Sequence, residues 1–124
     1  EIYGEVYHSV IGAGVTIGKG TVIRDSIVMK GTYIGENVTV DKSIIAENCQ
    51  IGDGAVLGVG EEKPNKLNAS IYSFGLVTVG EKSVIPEGVT IGKNTAISGV
   101  TEKADYPDGI LESGEVIIKA GDSV

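Results

Sequence analysis

The feature that most constrains this chain is a repeat. Ser9, Ser26 and Ser43 stand 17 residues apart, and each opens a matching stretch: SVIGAGVTIGKGTVIRD, SIVMKGTYIGENVTVDK and SIIAENCQIGDGAVLGV. Each stretch divides into steps of six, six and five, headed by an aliphatic residue. The heads are Ile11, Ile17 and Ile23, then Val28, Ile34 and Val40, then Ile45, Ile51 and Leu57. After an interruption, steps of six resume at Val79, Ile85, Ile91 and Ile97. Three residues after most heads stands a Gly or an Asn, such as Gly14, Gly31, Asn37, Asn48 or Asn94. These residues tolerate positive φ, so each step is expected to end in a left-handed corner. Lys82 occupies this place too, and Ser26 and Ser43 do so on the five-residue steps, so a minority of corners must differ. Four residues after the head come small or β-branched side chains such as Val15, Thr32, Cys49 and Ser83, which fit an interior beside a corner.

A short strand and a corner, three times per coil, make a triangular prism whose coils stack as parallel strands about 4.8 Å apart. Four coils give a rod about 20 Å tall with three inward aliphatic ladders. Composition agrees. The chain holds 16 Val and 16 Ile against 4 Leu, and β-branched residues favour strands. Only 5% of residues are aromatic, which fits a narrow aliphatic core.

The interruption, residues 58–75, reads as an inserted loop on one side of the rod. Tyr72 and Phe74 stand out there in an aromatic-poor chain, and Lys63 and Lys66 supply cations. Residues 101–124 leave the repeat through the turn Tyr106-Pro107-Asp108-Gly109, and Glu115–Lys119 reads as a closing strand. This tail is expected to cap the rod or dock on a partner, since an open coil end exposes unpaired backbone. Residues 1–8 are expected to enter the first coil as a strand. The single domain therefore comprises coils at 9–57 and 79–100, a loop at 58–75 and a tail at 101–124. The chain starts at Glu1 and reads as a segment of a longer protein.

The charge of −7 argues against nucleic acid or an anionic membrane as the main partner. No apolar run approaches the roughly 20 residues that span a bilayer. A lone cysteine builds neither a disulfide framework nor a Cys-rich zinc site, so Cys49 reads as a small buried residue and the compartment as cytoplasmic. The Gly-x-Gly pairs at 12–14, 18–20 and 52–54 look like fragments of phosphate loops, but the corner rule accounts for them. His8, the one histidine, lies beside Ser9 with no acidic residue at a telling spacing. No convincing catalytic, cofactor or metal site emerges from the residues alone.

The steps IGAGVT, IGKGTV, IGENVT, IGDGAV, IPEGVT and IGKNTA resemble the hexapeptide repeat, which implies an all-β fold, a left-handed parallel β-helix. That prism serves γ-class carbonic anhydrases, excluded here because they need three His ligands per metal. It also serves acyltransferases, which often use a His as general base, and His8 is the candidate under that alternative. The stretch Ser70–Gly80, followed by Ser83-Val84-Ile85-Pro86-Glu87-Gly88 and by the tail Asp105–Leu111, resembles the C-terminal domain of bacterial glucose-1-phosphate adenylyltransferases. β-Helix domains of other sugar-phosphate nucleotidyltransferases remain the nearest competitors.

The adenylyltransferase resemblance implies a parent enzyme that makes ADP-glucose and pyrophosphate from ATP and glucose 1-phosphate, feeding glycogen synthesis. ATP and Mg2+ would bind in a catalytic domain absent from these residues, so this segment alone would be inactive. The implied partners are that domain, other subunits of a homo-oligomer (a tetramer in the family) and a sugar-phosphate or phosphate effector. Plant-type members place effector-binding lysines at positions that fall on Gly60 and Glu81 here. Any effector or interface site must then use other groups, with Lys63, Lys66, Tyr72, Phe74 and Lys82 as the candidates.

Overall fold

The computed structural model describes residues 1–61, 63–66 and 75–119. Tyr72 and Phe74 lie outside the described residues. Three parallel sheets wrap a single core. Face one stacks Glu5–Tyr7, Val22–Arg24, Thr39–Asp41, Val56–Val59, Thr90–Gly92 and Ile110–Leu111. Face two stacks Val10–Ile11, Ile27–Val28, Ser43–Ile45, Val77–Val79, Thr95–Ser98 and Val116–Ile118. Face three stacks Thr16–Ile17, Tyr33–Ile34, Gln50–Ile51 and Val84–Ile85, and single bridges to Ile2 and Val100 extend it at both ends. This is the left-handed parallel β-helix that the step of six implies. Each face has six rungs, so the rod is about 29 Å tall rather than 20.

The stacking reaches further at both ends than the repeat does. Glu5–Tyr7 already pairs with Val22–Arg24. The tail does not simply leave the coil. Ile110 and Leu111 pair with Thr90 and Ile91, and Val116–Ile118 with Ala96–Ser98. Lys103–Asp105 and Pro107–Gly109 are two 3-10 turns that widen this last coil at one edge. Tyr106 between them is buried, and its hydroxyl shares a 2.8 Å hydrogen bond with Thr101. Burial pushes the Tyr106 hydroxyl pKa up, with the Thr101 bond opposing it. Asp105 receives the Glu102 amide (2.7 Å) and the Lys119 ammonium (3.0 Å), and both hold its carboxyl below the usual range. A group depressed in this way stabilises the fold above its ordinary pKa, and that contribution fades as pH falls through the lowered value. Asp105→Asn is therefore expected to lower Tm at pH 7. The gap to the parent should close in thermal melts taken below about pH 4.

The heads point inward as expected. Ile17, Ile34, Ile51 and Ile85 form a fully buried column in register on face three, and equivalent columns line the other two faces. Burying each such side chain contributes about 1.5–3 kcal/mol. The corners follow the rule with one refinement. Asn37, Asn48 and Asn94 have φ of 56–57°, and Lys82 adopts the same turn at 58° despite its side chain. On the five-residue steps the left-handed residue comes one place earlier, at His8, Asp25 and Lys42, with φ of 45–49°.

The serines then do something else. The Ser26 hydroxyl donates to the Arg24 carbonyl (2.7 Å) and accepts the Ser43 amide (3.0 Å). The Ser9 hydroxyl likewise accepts the Ser26 amide at 3.0 Å. Thr21 and Thr32 tie successive coils in the same fashion. Cys49 continues the Thr32 column, with Sγ 3.1 Å from the Gly80 carbonyl, and burial raises its thiol pKa. Among the described residues no buried side-chain nitrogen or oxygen lacks a partner, as a stable interior requires.

The corner rule accounts for only the second glycine of each Gly-x-Gly pair, since Gly14, Gly20 and Gly54 have positive φ whereas Gly12, Gly18 and Gly52 do not. The glycine of each Ile-Gly pair has another cause. A Cβ at Gly52 would sit 2.4 Å from the Glu87 nitrogen and 2.7 Å from its Cα, both backbone of the next coil. Gly52→Ala is expected to force the two coils apart and cost about 1–3 kcal/mol, read as a lower urea midpoint.

The outward residues differ between faces. On face two one outward row is Val10, Ile27, Ile44, Thr78, Ala96 and Val116, in register through the stack. The row beside it is Gly12, Met29, Ala46, Gly80, Ser98 and Ile118. Face one instead presents Glu5, Arg24, Asp41 and Glu112, with the Arg24 guanidinium 5.5 Å from the centre of the Tyr7 ring.

Candidate functional site and its relatives

The insertion is seated at the edge between faces one and two, and Asn94 holds it there. Asn94 is itself a buried left-handed corner. Its Nδ2 donates to the Lys63 carbonyl (3.0 Å) and its Oδ1 accepts the Gly75 amide (2.8 Å). Its own carbonyl accepts from the buried Asn65 Nδ2 at 2.7 Å. One side chain thus grips both described ends of the insertion. The Lys66 amide donates to the Gly114 carbonyl (2.9 Å), and its ammonium pairs with Glu115. The insertion is therefore tied to the tail as well as to the coil.

Beside this seat lies a cleft of about 260 Å3, lined by Val59, Gly60, Glu61, Lys63, Thr90, Gly92 and Ile110–Ser113. Its charged members are Glu61, Lys63 and Glu112, so carboxylates outnumber cations there. A site for a phosphate ester calls for the opposite balance. A second cleft, of about 360 Å3, opens at the last coil and is lined by Asp105, Asp108, Glu112 and Glu115 among others. It is acidic too.

The lysines singled out in the sequence do not converge. Lys63 and Lys66 are exposed beside the insertion, and Lys66 is neutralised by Glu115. Lys82 is exposed on another edge of the prism, between faces two and three, with its amide on the Glu47 carbonyl (2.9 Å). Gly60 lines the first cleft, whereas Glu81 is exposed next to Lys82. His8 is an exposed corner residue: its side chain is 92% accessible, and Nδ1 lies 3.7 Å from a carboxylate oxygen of Asp25. A general base must face a bound substrate, and His8 lines neither cleft. Among the described residues no three His, Cys, Asp or Glu side chains converge as metal ligands, and no helix is long and apolar enough to cross a membrane. Sequence reasoning marked Asn94 only as a corner. Its partners stand 19 to 31 residues away, so no local pattern could reveal them.

The family model described as "GlmU-like, C-terminal hexapeptide" matches residues 2–79. The chain belongs to that family. This hexapeptide domain is 59% identical over 99% of its length to a glucose-1-phosphate adenylyltransferase of Lachnospira eligens. It is 40% identical over 98% of its length to the enzyme of the same name from Acetivibrio thermocellus. In both cases it spans 29% of the relative's length. Among solved structures it resembles the acetyltransferase domain of PglB from Neisseria gonorrhoeae in complex with acetyl coenzyme A. That match has a TM-score of 0.61 at 18% identity and covers 94% of this chain and 50% of the other. At that identity the likeness concerns the fold.

Proposed function

We propose that the hexapeptide domain is the C-terminal assembly and regulatory domain of a cytoplasmic glucose-1-phosphate adenylyltransferase. The observation that carries the reading is the 59% identity along 99% of the chain to an enzyme of that name. In the whole enzyme a phosphate oxygen of glucose 1-phosphate would attack the α-phosphorus of ATP. ADP-glucose would form and pyrophosphate would leave, supplying glucosyl units for glycogen.

Neither the cleft at the insertion nor the cleft at the tail gathers the cations that nucleotide phosphates call for. That chemistry is assigned to the remainder of the polypeptide. The rod contributes a stiff body with long flat faces, suited to packing subunits of a homo-oligomer. It would also relay a sugar-phosphate or phosphate effector from the edge where the insertion sits. An exposed His8 gives an acyltransferase reading no base beside a cleft.

The test is an assay of the full-length chain with ATP, glucose 1-phosphate and Mg2+. Stoichiometric pyrophosphate and ADP-glucose are expected, with none from residues 1–124 alone. Consumption of acetyl-CoA without pyrophosphate release would overturn the reading.

A further inference from the structure

Face three carries two open tyrosine rings beside a groove that the proposed function leaves unused. Its outward row is Thr16, Tyr33, Gln50 and Val84, in register through the stack. Two residues on from these stand Gly18, Gly35, Gly52 and Pro86. No long side chain therefore fills the space between that row and the corner residues Lys19, Glu36, Asp53 and Glu87. Two clefts occupy the space. One, of about 290 Å3, lies among Tyr3, Lys19 and Glu36, and the next, of about 340 Å3, among Gln50, Pro86 and Glu87. Tyr33 and Asp53 line both, so the clefts run together as one groove along the rod. Tyr33 is 49% accessible and Tyr3 58%. On face one the Tyr7 ring has Arg24 over it at 5.5 Å, whereas no cation or ring among the described residues covers Tyr33. The Tyr3 amide donates to the Ile17 carbonyl (2.9 Å), which places Tyr3 two coils before Tyr33, about 10 Å along the rod. Neither of the two acidic clefts is lined by an aromatic ring.

We infer that this groove binds a neutral, linear oligosaccharide. Exposed rings with polar groups around them call for a partner that is apolar on its flat side and polar at its edge. A pyranose ring has that form, with C–H groups on its faces and hydroxyls round its rim. It is also about as long as the coil spacing of about 4.8 Å, so successive sugars can lie on successive rungs. The polar groups match the hydroxyls. Glu36 and Asp53 accept, the Lys19 ammonium donates, and the Gln50 amide does both. The Asp53 carboxylate is held in place, because its Oδ1 accepts the Glu36 amide at 2.9 Å. Charge argues against other occupants. Glu87 already has the Lys103 ammonium at 3.4 Å. With Lys19, two cations therefore face the three carboxylates of the groove. That near balance gives a polycation little hold, and the carboxylates repel a phosphate ester. The inference stands apart from the enzyme reading, since holding a sugar here needs no nucleotide chemistry.

The test uses the full-length chain, titrated by calorimetry with maltoheptaose and with cellohexaose, each up to about 10 mM. At least one of these α- and β-linked glucans should bind. Tyr33→Ala should weaken that binding about tenfold through the lost stacking surface. Tyr33→Phe keeps the ring and should stay within about twofold of the parent. Asp53→Asn keeps an oxygen for the Glu36 amide but loses the charge, and should cost about threefold. Tyr7→Ala, outside the groove, should change nothing. Tyr33 is exposed, and unchanged circular dichroism confirms the fold of each variant. Binding of neither glucan would overturn the inference. So would binding that Tyr33→Ala leaves unchanged. A hepta-arginine peptide is the third probe: if it binds through Tyr33 and neither glucan does, the occupant is a cationic chain and the inference fails. Pyrophosphate release by the same chain reports on the enzyme reading separately. An active chain that binds neither glucan removes this inference alone, and an inactive chain that binds one through Tyr33 removes the enzyme reading alone.

Discussion

Replacing Ile51 with Ala is expected to lower the unfolding free energy by about 3–5 kcal/mol, the upper range for a buried Ile or Leu truncation. Ile51 sits mid-rod, fully buried, in register between Ile34 and Ile85. Each rung of a solenoid is supported by its two neighbours, so the void opens between two coils at once. Those coils cannot slide to fill it. The Gly35 amide is bound to the Ile51 carbonyl (2.9 Å) and the Gly52 amide to the Ile85 carbonyl (2.8 Å), which fixes the spacing on both sides. At the first coil Ile11 is only half-buried and has a neighbour on one side. Ile11→Ala should cost about 1–2 kcal/mol by the same area argument. Urea unfolding followed by circular dichroism checks both, through midpoints at an unchanged slope. Equal losses at the two sites would mean that the rod's interior is no better packed than its end.

Much of the fold could be read because the six-residue step writes inside and outside directly into the sequence. Ile17, Ile34 and Ile51 announce a buried column, and Asn37 and Asn48 announce left-handed corners. What could not be read depends on backbone pairing, which is indifferent to side chains. The last coil takes 20 residues to pass from Ile91 to its register partner Leu111, because the two 3-10 turns lie between them. The period is lost there although the sheet continues. The displaced corners at Asp25 and Lys42 have a similar cause: a step one residue shorter reaches its corner one residue sooner. At the candidate site, closeness in sequence misled. Lys66 lies in the insertion and Lys82 seven residues beyond it, yet position along the coil decides which edge a residue occupies, and theirs differ. The Ile-Gly pairs carried a signal that the corner rule hid. Their Gly lets the next coil's backbone approach to a distance that no side chain would allow.

Asn94→Ala is expected to cost about 3–5 kcal/mol and to release the insertion from the rod. Three effects combine. The buried Gly75 amide is left unpaired, at about 1–3 kcal/mol, and the part-buried Lys63 carbonyl loses its donor at about 1 kcal/mol. An alanine at φ of 56° adds about 1 kcal/mol of backbone strain. Asn94→Gly removes the strain but not the lost bonds, so it should recover only the smaller part. Asn48→Ala supplies the contrast: its corner has φ of 57° but is exposed, and the loss should be limited to about 1 kcal/mol of strain. Trypsin reads the insertion separately from global stability. Lys63 precedes Pro64 and resists cleavage, which leaves Lys66 as the reporter. With the Asn94 side chain gone, the seat of Lys63 and Gly75 is lost, while the Asn65 amide on the backbone carbonyl of residue 94 and the Gly114 and Glu115 contacts of Lys66 remain. Cleavage after Lys66 should quicken at least tenfold in Asn94→Ala and in Asn94→Gly, at a temperature where circular dichroism reports a folded rod. An unchanged rate in both variants would show that the insertion is held by the tail rather than by the corner.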